Sequence, residues 1–256
     1  MVLIDTKGRM VPTESDYVYE KEDRNYFVIQ KPELDISEVY KRFESVFEGQ
    51  IEVSREDFSR LVNEILSRIQ NNSEISNILN GPYFPFLIPR NVENRQNILE
   101  FLIEKLKKSF ENFYPNYEFK NFANQIDEDS YINSVDKVIK VGNFENKSAV
   151  GLYFPSVLTG YSIYSQRLAF NKLGQDVFLG GPFDTISALI GNPGMLVRHD
   201  NSYPNGLVLS GINPKDKNFK DFFWYFEAYG WNLNFNYRSM IGPASEYFTG
   251  GISFLA

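Results

Sequence analysis

Cysteine is absent from this 256-residue chain, and histidine occurs once. Without cysteine there is no disulfide, no thiolate metal site and no cysteine nucleophile. A single histidine excludes multi-histidine metal centres and, with no thiol beside it, argues against structural zinc. No stretch reaches the roughly 18 consecutive apolar residues that a membrane-spanning helix needs. The opening Met1-Val2-Leu3-Ile4-Asp5-Thr6-Lys7 also lacks the basic start and apolar core of a signal peptide. These absences point to a cytoplasmic protein, although an already cleaved leader leaves the same pattern. A basic surplus is missing too, the net charge being −7. Residues 1–130 hold 16 Lys and Arg against 24 Asp and Glu, whereas residues 131–256 hold 10 against 9. Neither half is basic enough to make nucleic acid the main partner. The acidic half complements a basic protein partner, or serves only as a solvated surface.

What the chain does have is aromatic residues, 23 Phe and 16 Tyr, in a globular background of 43% hydrophobic and 23% charged residues. No Ser/Gly-rich linker interrupts it, which favours one compact domain over 1–256. A sub-boundary falls near residue 140, between an acidic, helix-rich part (1–140) and an aromatic, sheet-rich part (141–256). The expected fold class is α+β. An N-terminal hairpin and a helical layer pack on a mostly antiparallel C-terminal sheet that contains one aromatic-rich helix.

Several elements follow from local pattern. Asp16–Glu20 and Asn25–Gln30 flank a charged turn and suggest the hairpin. Asp35 and Ser54 are placed to cap helices whose apolar faces are Val39, Phe43, Val46 and Phe47, then Phe58, Leu61, Val62, Ile65, Leu66 and Ile69. Pro82 to Arg90 holds three prolines and reads as an extended apolar connector. Asn91 can cap a third helix with Ile98, Leu102, Leu106 and Phe110 on one face, and a weaker helix or turn is expected over Tyr131–Val138. From Gly142, short apolar runs read as strands: 149–154, 161–170, 176–179, 207–209, 231–237 and 251–255. Within them, Asn218 as cap, Phe219, Phe222, Phe223 and Phe226 at helical spacing, and Gly230 as terminator predict the aromatic helix.

Catalytic motifs are thin. His199 sits in Arg198-His199-Asp200, and no Gly-x-Ser-x-Gly elbow supplies a nucleophile. It can act only as a general base with a remote hydroxyl and a carboxylate, Asp200 or Glu227, in a cleft near the Gly/Pro loops. Asp184, Asp200, Glu227 and Glu246 are candidate carboxylates for glycoside hydrolysis, a chemistry that depends on their separation in space. Gly180-Gly181-Pro182 and Gly191-Asn192-Pro193-Gly194 read as turns, without the lysine or spacing of a phosphate loop. Asp127-Glu128-Asp129-Ser130 lacks the glycine and terminal acid of a calcium loop. No cofactor and no metal are expected.

The remaining signal is Trp231-Asn232-Leu233-Asn234-Phe235-Asn236-Tyr237-Arg238, in which apolar and polar residues alternate strictly. As a strand it turns Trp, Leu, Phe and Tyr to one face and three Asn with Arg to the other. Asn is a poor strand former, so the row is either hydrated or employed. The reading adopted is a non-enzymatic interaction protein, of an inhibitor or immunity type. Its expected contacts are Trp224, Tyr229, Trp231, Asn232, Asn234, Asn236 and Arg238, and replacing Asn234 and Asn236 together by Thr is expected to spare folding. The alternatives are the His199 hydrolase and, third, a membrane-active protein using the aromatic β segments.

Overall fold

The computed structural model describes residues 3–14, 16–19, 26–89, 98–123, 126, 148–169, 176–199, 201–214, 221–239 and 242–256. Helix α1 (Ile36–Phe47) starts where the Asp35 carboxylate accepts the N–H groups of Ser37 and Glu38, at 2.9 and 3.1 Å. That satisfies donors which a first helical turn leaves without partners. Helix α2 (Arg55–Gln70) is capped by Ser54, whose hydroxyl accepts the Asp57 N–H at 3.1 Å. Helix α3 is Ile98–Phe113 and buries the expected stripe of Ile98, Leu102, Leu106 and Phe110. The expected cap Asn91, the acidic run Asp127–Ser130 and the segment Tyr131–Val138 lie outside the described residues.

The strands in chain order are β1 (Phe84–Ile88), β2 (Phe119–Asn121), β3 (Ala149–Phe154), β4 (Val177–Leu179) and β5 (Gly206–Val208). They continue with β6 (Phe222–Tyr229), β7 (Asn232–Ser239), β8 (Phe248–Gly250) and β9 (Ile252–Leu255). One sheet has the order β1-β3-β9-β4 and is antiparallel throughout. The other has the order β2-β7-β6-β5-β8, antiparallel at its centre and parallel at both edges. Only Gly251 separates β8 from β9, so the chain passes from the edge of the second sheet into the middle of the first.

The described residues also form a 3-10 helix, Ser76–Asn80, and two short α-helices, α4 (Ile163–Leu168) and α5 (Pro182–Gly191). All ten residues of α5 are buried, including the polar Asp184, Thr185 and Ser187. Its polar Ser187 closes the outer edge of β1. The hydroxyl accepts the Leu87 N–H at 3.0 Å and donates to the Leu87 carbonyl at 2.6 Å. Pro85, which has no N–H, is therefore tolerated in this strand, at a sheet edge. At the other end of α5, a Cβ on Gly191 would come within 2.6 Å of the Phe43 ring, so glycine sets how closely α1 approaches. One buried apolar cluster runs from Ile4 to Phe254 and draws on both sides of residue 140.

The α+β class stands, while several local expectations are corrected. Phe222–Tyr229 is a strand, not a helix. Phe222, Trp224, Phe226 and Ala228 face the main core opposite Ser239, Tyr237, Phe235 and Leu233. Phe223 and Tyr225 turn the other way, into a second cluster with Ile163 and Val208. Both faces of the strand are covered, and two-sided burial makes an aromatic strand mimic a helical stripe in sequence. The expected cap Asn218 and the first stripe residue Phe219 lie outside the described residues. Ile163–Leu168, expected as strand, is helical because the Ser162 hydroxyl accepts the Ser165 N–H at 3.1 Å. The two N-terminal segments do not pair with each other among the described residues: Val18 bridges Tyr161 and Phe27 bridges Tyr203. The charged turn between them, Lys21 to Arg24, lies outside the described residues.

Candidate functional site

The β6–β7 connection is a two-residue turn, Gly230-Trp231, between the paired residues Tyr229 and Asn232. Gly230 has φ 63°, the left-handed value this kind of hairpin turn demands at its first position. The turn lifts two aromatic rings off the sheet: Tyr229 is 71% exposed and Trp231 41%. Trp231 lies flat on Tyr117, with ring centres 5.6 Å apart and planes 14° from parallel. Tyr117 neighbours Tyr114 at 6.2 Å, and Tyr114 meets Phe113 edge-on at 4.8 Å. Phe113 is 48% exposed and carries the Arg42 guanidinium over its face at 5.2 Å. Tyr114 is half sunk, and burial raises its pKa, with the nearby charge of Arg42 acting in the opposite direction. A row of rings thus runs from the end of α3 to the hairpin tip, open to solvent at both ends.

Asn232 positions this row. Its side-chain oxygen accepts the Glu118 N–H at 2.9 Å, and the Leu233 N–H bonds the Glu118 carbonyl at 3.1 Å. These two bonds dock the 114–118 segment against the hairpin. Asn234, expected on an open face, is buried, and its side-chain oxygen has no hydrogen-bond partner among the described residues. Asn236 is half-buried and donates to Glu227 at 2.7 Å, while the Tyr247 hydroxyl donates to the other Glu227 oxygen. Burial raises the Tyr247 pKa, and the bond to Glu227 and its charge add to the effect. Asn232 and Asn236 are therefore bonded within the molecule, while Asn234 is buried without a partner for its oxygen among the described residues. Trp224 is buried as well and offers no contact surface, whereas Arg238 remains exposed at the far end of β7. Of the expected contacts, Tyr229, Trp231 and Arg238 are exposed.

Phe113, Tyr114 and Tyr117 were not singled out from sequence. Their signal was available: Phe113 ends α3 and Tyr114 follows it, just before Pro115, and Phe113 lies off the buried stripe.

Among the described residues no hydrogen bond joins His199 to Glu227. His199 is exposed, in a turn closed by its backbone bonds with Ser202 at 3.0 and 3.3 Å. Asp200 lies outside the described residues. Glu227 is held by Asn236 and Tyr247. Asp184 is fully buried, accepting the Gly181 N–H at 2.9 Å and the Ser253 hydroxyl, so it caps α5 and ties it to β9. A cleft of about 500 Å³ opens instead near the N-terminus, where Glu246 shares its wall with Asp5, Arg9, Asp16, Phe27 and Tyr161. His199 is not among the residues lining that cleft. Among the described residues no group of three or more His, Asp or Glu is placed to hold a metal ion. No helix among them is long and apolar enough to cross a membrane. Comparison with known protein families, with curated proteins and with solved structures finds no match.

Proposed function

We propose that this protein is a non-enzymatic binding module that recognises a partner protein through the aromatic row Phe113–Tyr114–Tyr117–Trp231, with Tyr229 at its rim. The observation that carries the reading is the exposure of Tyr229, Trp231 and Phe113 around a preformed stack. Aromatic rings left at the surface in a contiguous group mark interaction sites more often than isolated apolar residues do. Trp and Tyr dominate binding hot spots because they bring large area and lose little conformational freedom. Here Trp231 is held on Tyr117, so part of the ordering cost of binding is met before the partner arrives.

The surface moves away from the Asn face expected from sequence and onto the hairpin tip and the end of α3. The test is cross-linked capture with the full chain as bait, beside a Tyr229→Ala/Trp231→Ala bait of equal thermal stability. A partner captured by the first and lost from the second is the expected result. A partner held equally by both overturns the reading.

A further inference from the structure

Resting on that reading of the aromatic row, we infer that the row continues into an anchor groove between α1 and α3 that accepts one apolar side chain of the partner with a carboxylate beside it. The groove holds about 200 Å³ and is walled by Val46, Ser45, Ser109, Asn112, Phe113 and Arg42. That is smaller than the roughly 300–1,000 Å³ of pockets for drug-sized ligands, and suits a single side chain. Phe113 belongs to both features, closing the groove on one side and ending the ring row on the other.

Arg42 supplies the charge. Its guanidinium lies over Phe113 and donates to the Gly191 carbonyl at the end of α5, at 2.9 Å. Ser109 caps the neighbouring Ile190 carbonyl at 2.7 Å, so the floor beneath is satisfied. A guanidinium has five N–H donors, and no carboxylate among the described residues pairs with Arg42. Lys41 at the same rim is paired with Glu38. Arg42 is thus held in place by one bond and one ring, with donors left over in the planar fork that fits a carboxylate. The apolar wall beside it, Val46 and Phe113, fits a branched or aromatic side chain.

This local chemistry runs against the charge of residues 1–130 as a whole, which hold 16 basic and 24 acidic residues. The two operate at different ranges. Exposed charges are screened beyond about 8 Å at physiological salt, so contact at the groove is decided by Arg42 and its neighbours.

The test uses N-acetyl-Asp-Phe-amide as probe, with N-acetyl-Asn-Phe-amide and N-acetyl-Lys-Phe-amide as controls, followed by backbone amide shifts of the full chain. The acidic probe is expected to move the signals of Ser45, Val46, Asn112 and Phe113 and to bind about tenfold more tightly than the Asn probe. Arg42→Lys keeps the charge but loses the fork, and should erase most of that preference. Ser45→Trp, at an exposed position, should fill the groove and abolish binding of the probe. Arg60→Ala, at an exposed position of α2 outside the groove, should leave probe binding unchanged. Equal shifts with all three probes, no shifts, or shifts that survive Ser45→Trp overturn the groove. If the probe binds as described while capture of the partner is indifferent to Tyr229 and Trp231, the groove stands and the aromatic-row reading falls.

Discussion

Replacing Asn236 by Ala decides whether the Asn row of β7 is framework or contact face. Asn236 donates at 2.7 Å to one oxygen of Glu227, whose other oxygen takes the Tyr247 hydroxyl. Hydrogen bonds to charged groups contribute about 1.5–3 kcal/mol, and half-buried partners belong at the lower end. The expected loss is about 1.5 kcal/mol, which for a chain of this size lowers Tm by roughly 3–6 °C. Tyr247→Phe should cost a similar amount. Because both donors act on one carboxylate, the double variant should depart from additivity by about 0.5 kcal/mol or more. Urea titrations of the four proteins, fitted with a common slope, give these numbers directly. Partner affinity of Asn236→Ala should stay within about twofold of wild type, since less than 0.4 kcal/mol is at stake. An unchanged stability together with weakened binding refutes the reasoning and returns the Asn face to the interface. The earlier expectation that Asn234 and Asn236 can both become Thr without harm to folding is replaced by this one.

Other outcomes follow from buried polar groups. Ser187→Ala should cost about 2–4 kcal/mol, because it leaves the buried Leu87 N–H and carbonyl without partners, and a urea midpoint close to wild type argues against the edge-closing role. Alkaline pH should unfold the protein cooperatively. Burial holds the pKa values of Tyr153, Tyr161 and Tyr247 above the ordinary tyrosine range, with Asp184, Asp16 and Glu227 the next contributors in that order. Folded tyrosines therefore keep protons that the unfolded chain releases above about pH 10, and stability falls as pH rises through that point. Arg167, pushed down to about 10 by burial, acts oppositely between that value and its ordinary range, but it is one group against three. Absorbance at 295 nm should show exposed tyrosines titrating first and the buried ones only as circular dichroism is lost. A single non-cooperative titration with dichroism intact contradicts this.

Helices α1 to α3 were legible because caps and apolar stripes are local, and Asp35, Ser54 and the Leu102–Leu106–Phe110 face report on nothing beyond their own turns. The strand β7 was legible from strict alternation. Its partner β6 was not, since Phe223 and Tyr225 find a second cluster under α4 that no local pattern announces. The helix α5 was passed over because its flanking glycines were read as turns, although Pro182 at its first position and Asp184 in its first turn are regular start signals. The site divided in the same way. Tyr229 and Trp231 were named by residue type, with Gly230 read as a helix terminator, whereas their place at a hairpin tip beside Phe113, Tyr114 and Tyr117 depends on the β6–β7 pairing and on two long-range bonds to Glu118.

Dissociation constants of the captured partner for the wild-type chain and for Trp231→Ala, measured at equal salt and with both proteins folded, test the central claim most directly. Loss of a central ring of this kind costs about 2 kcal/mol, so binding should weaken roughly 30-fold. A constant within about twofold of wild type contradicts the aromatic row as the binding surface.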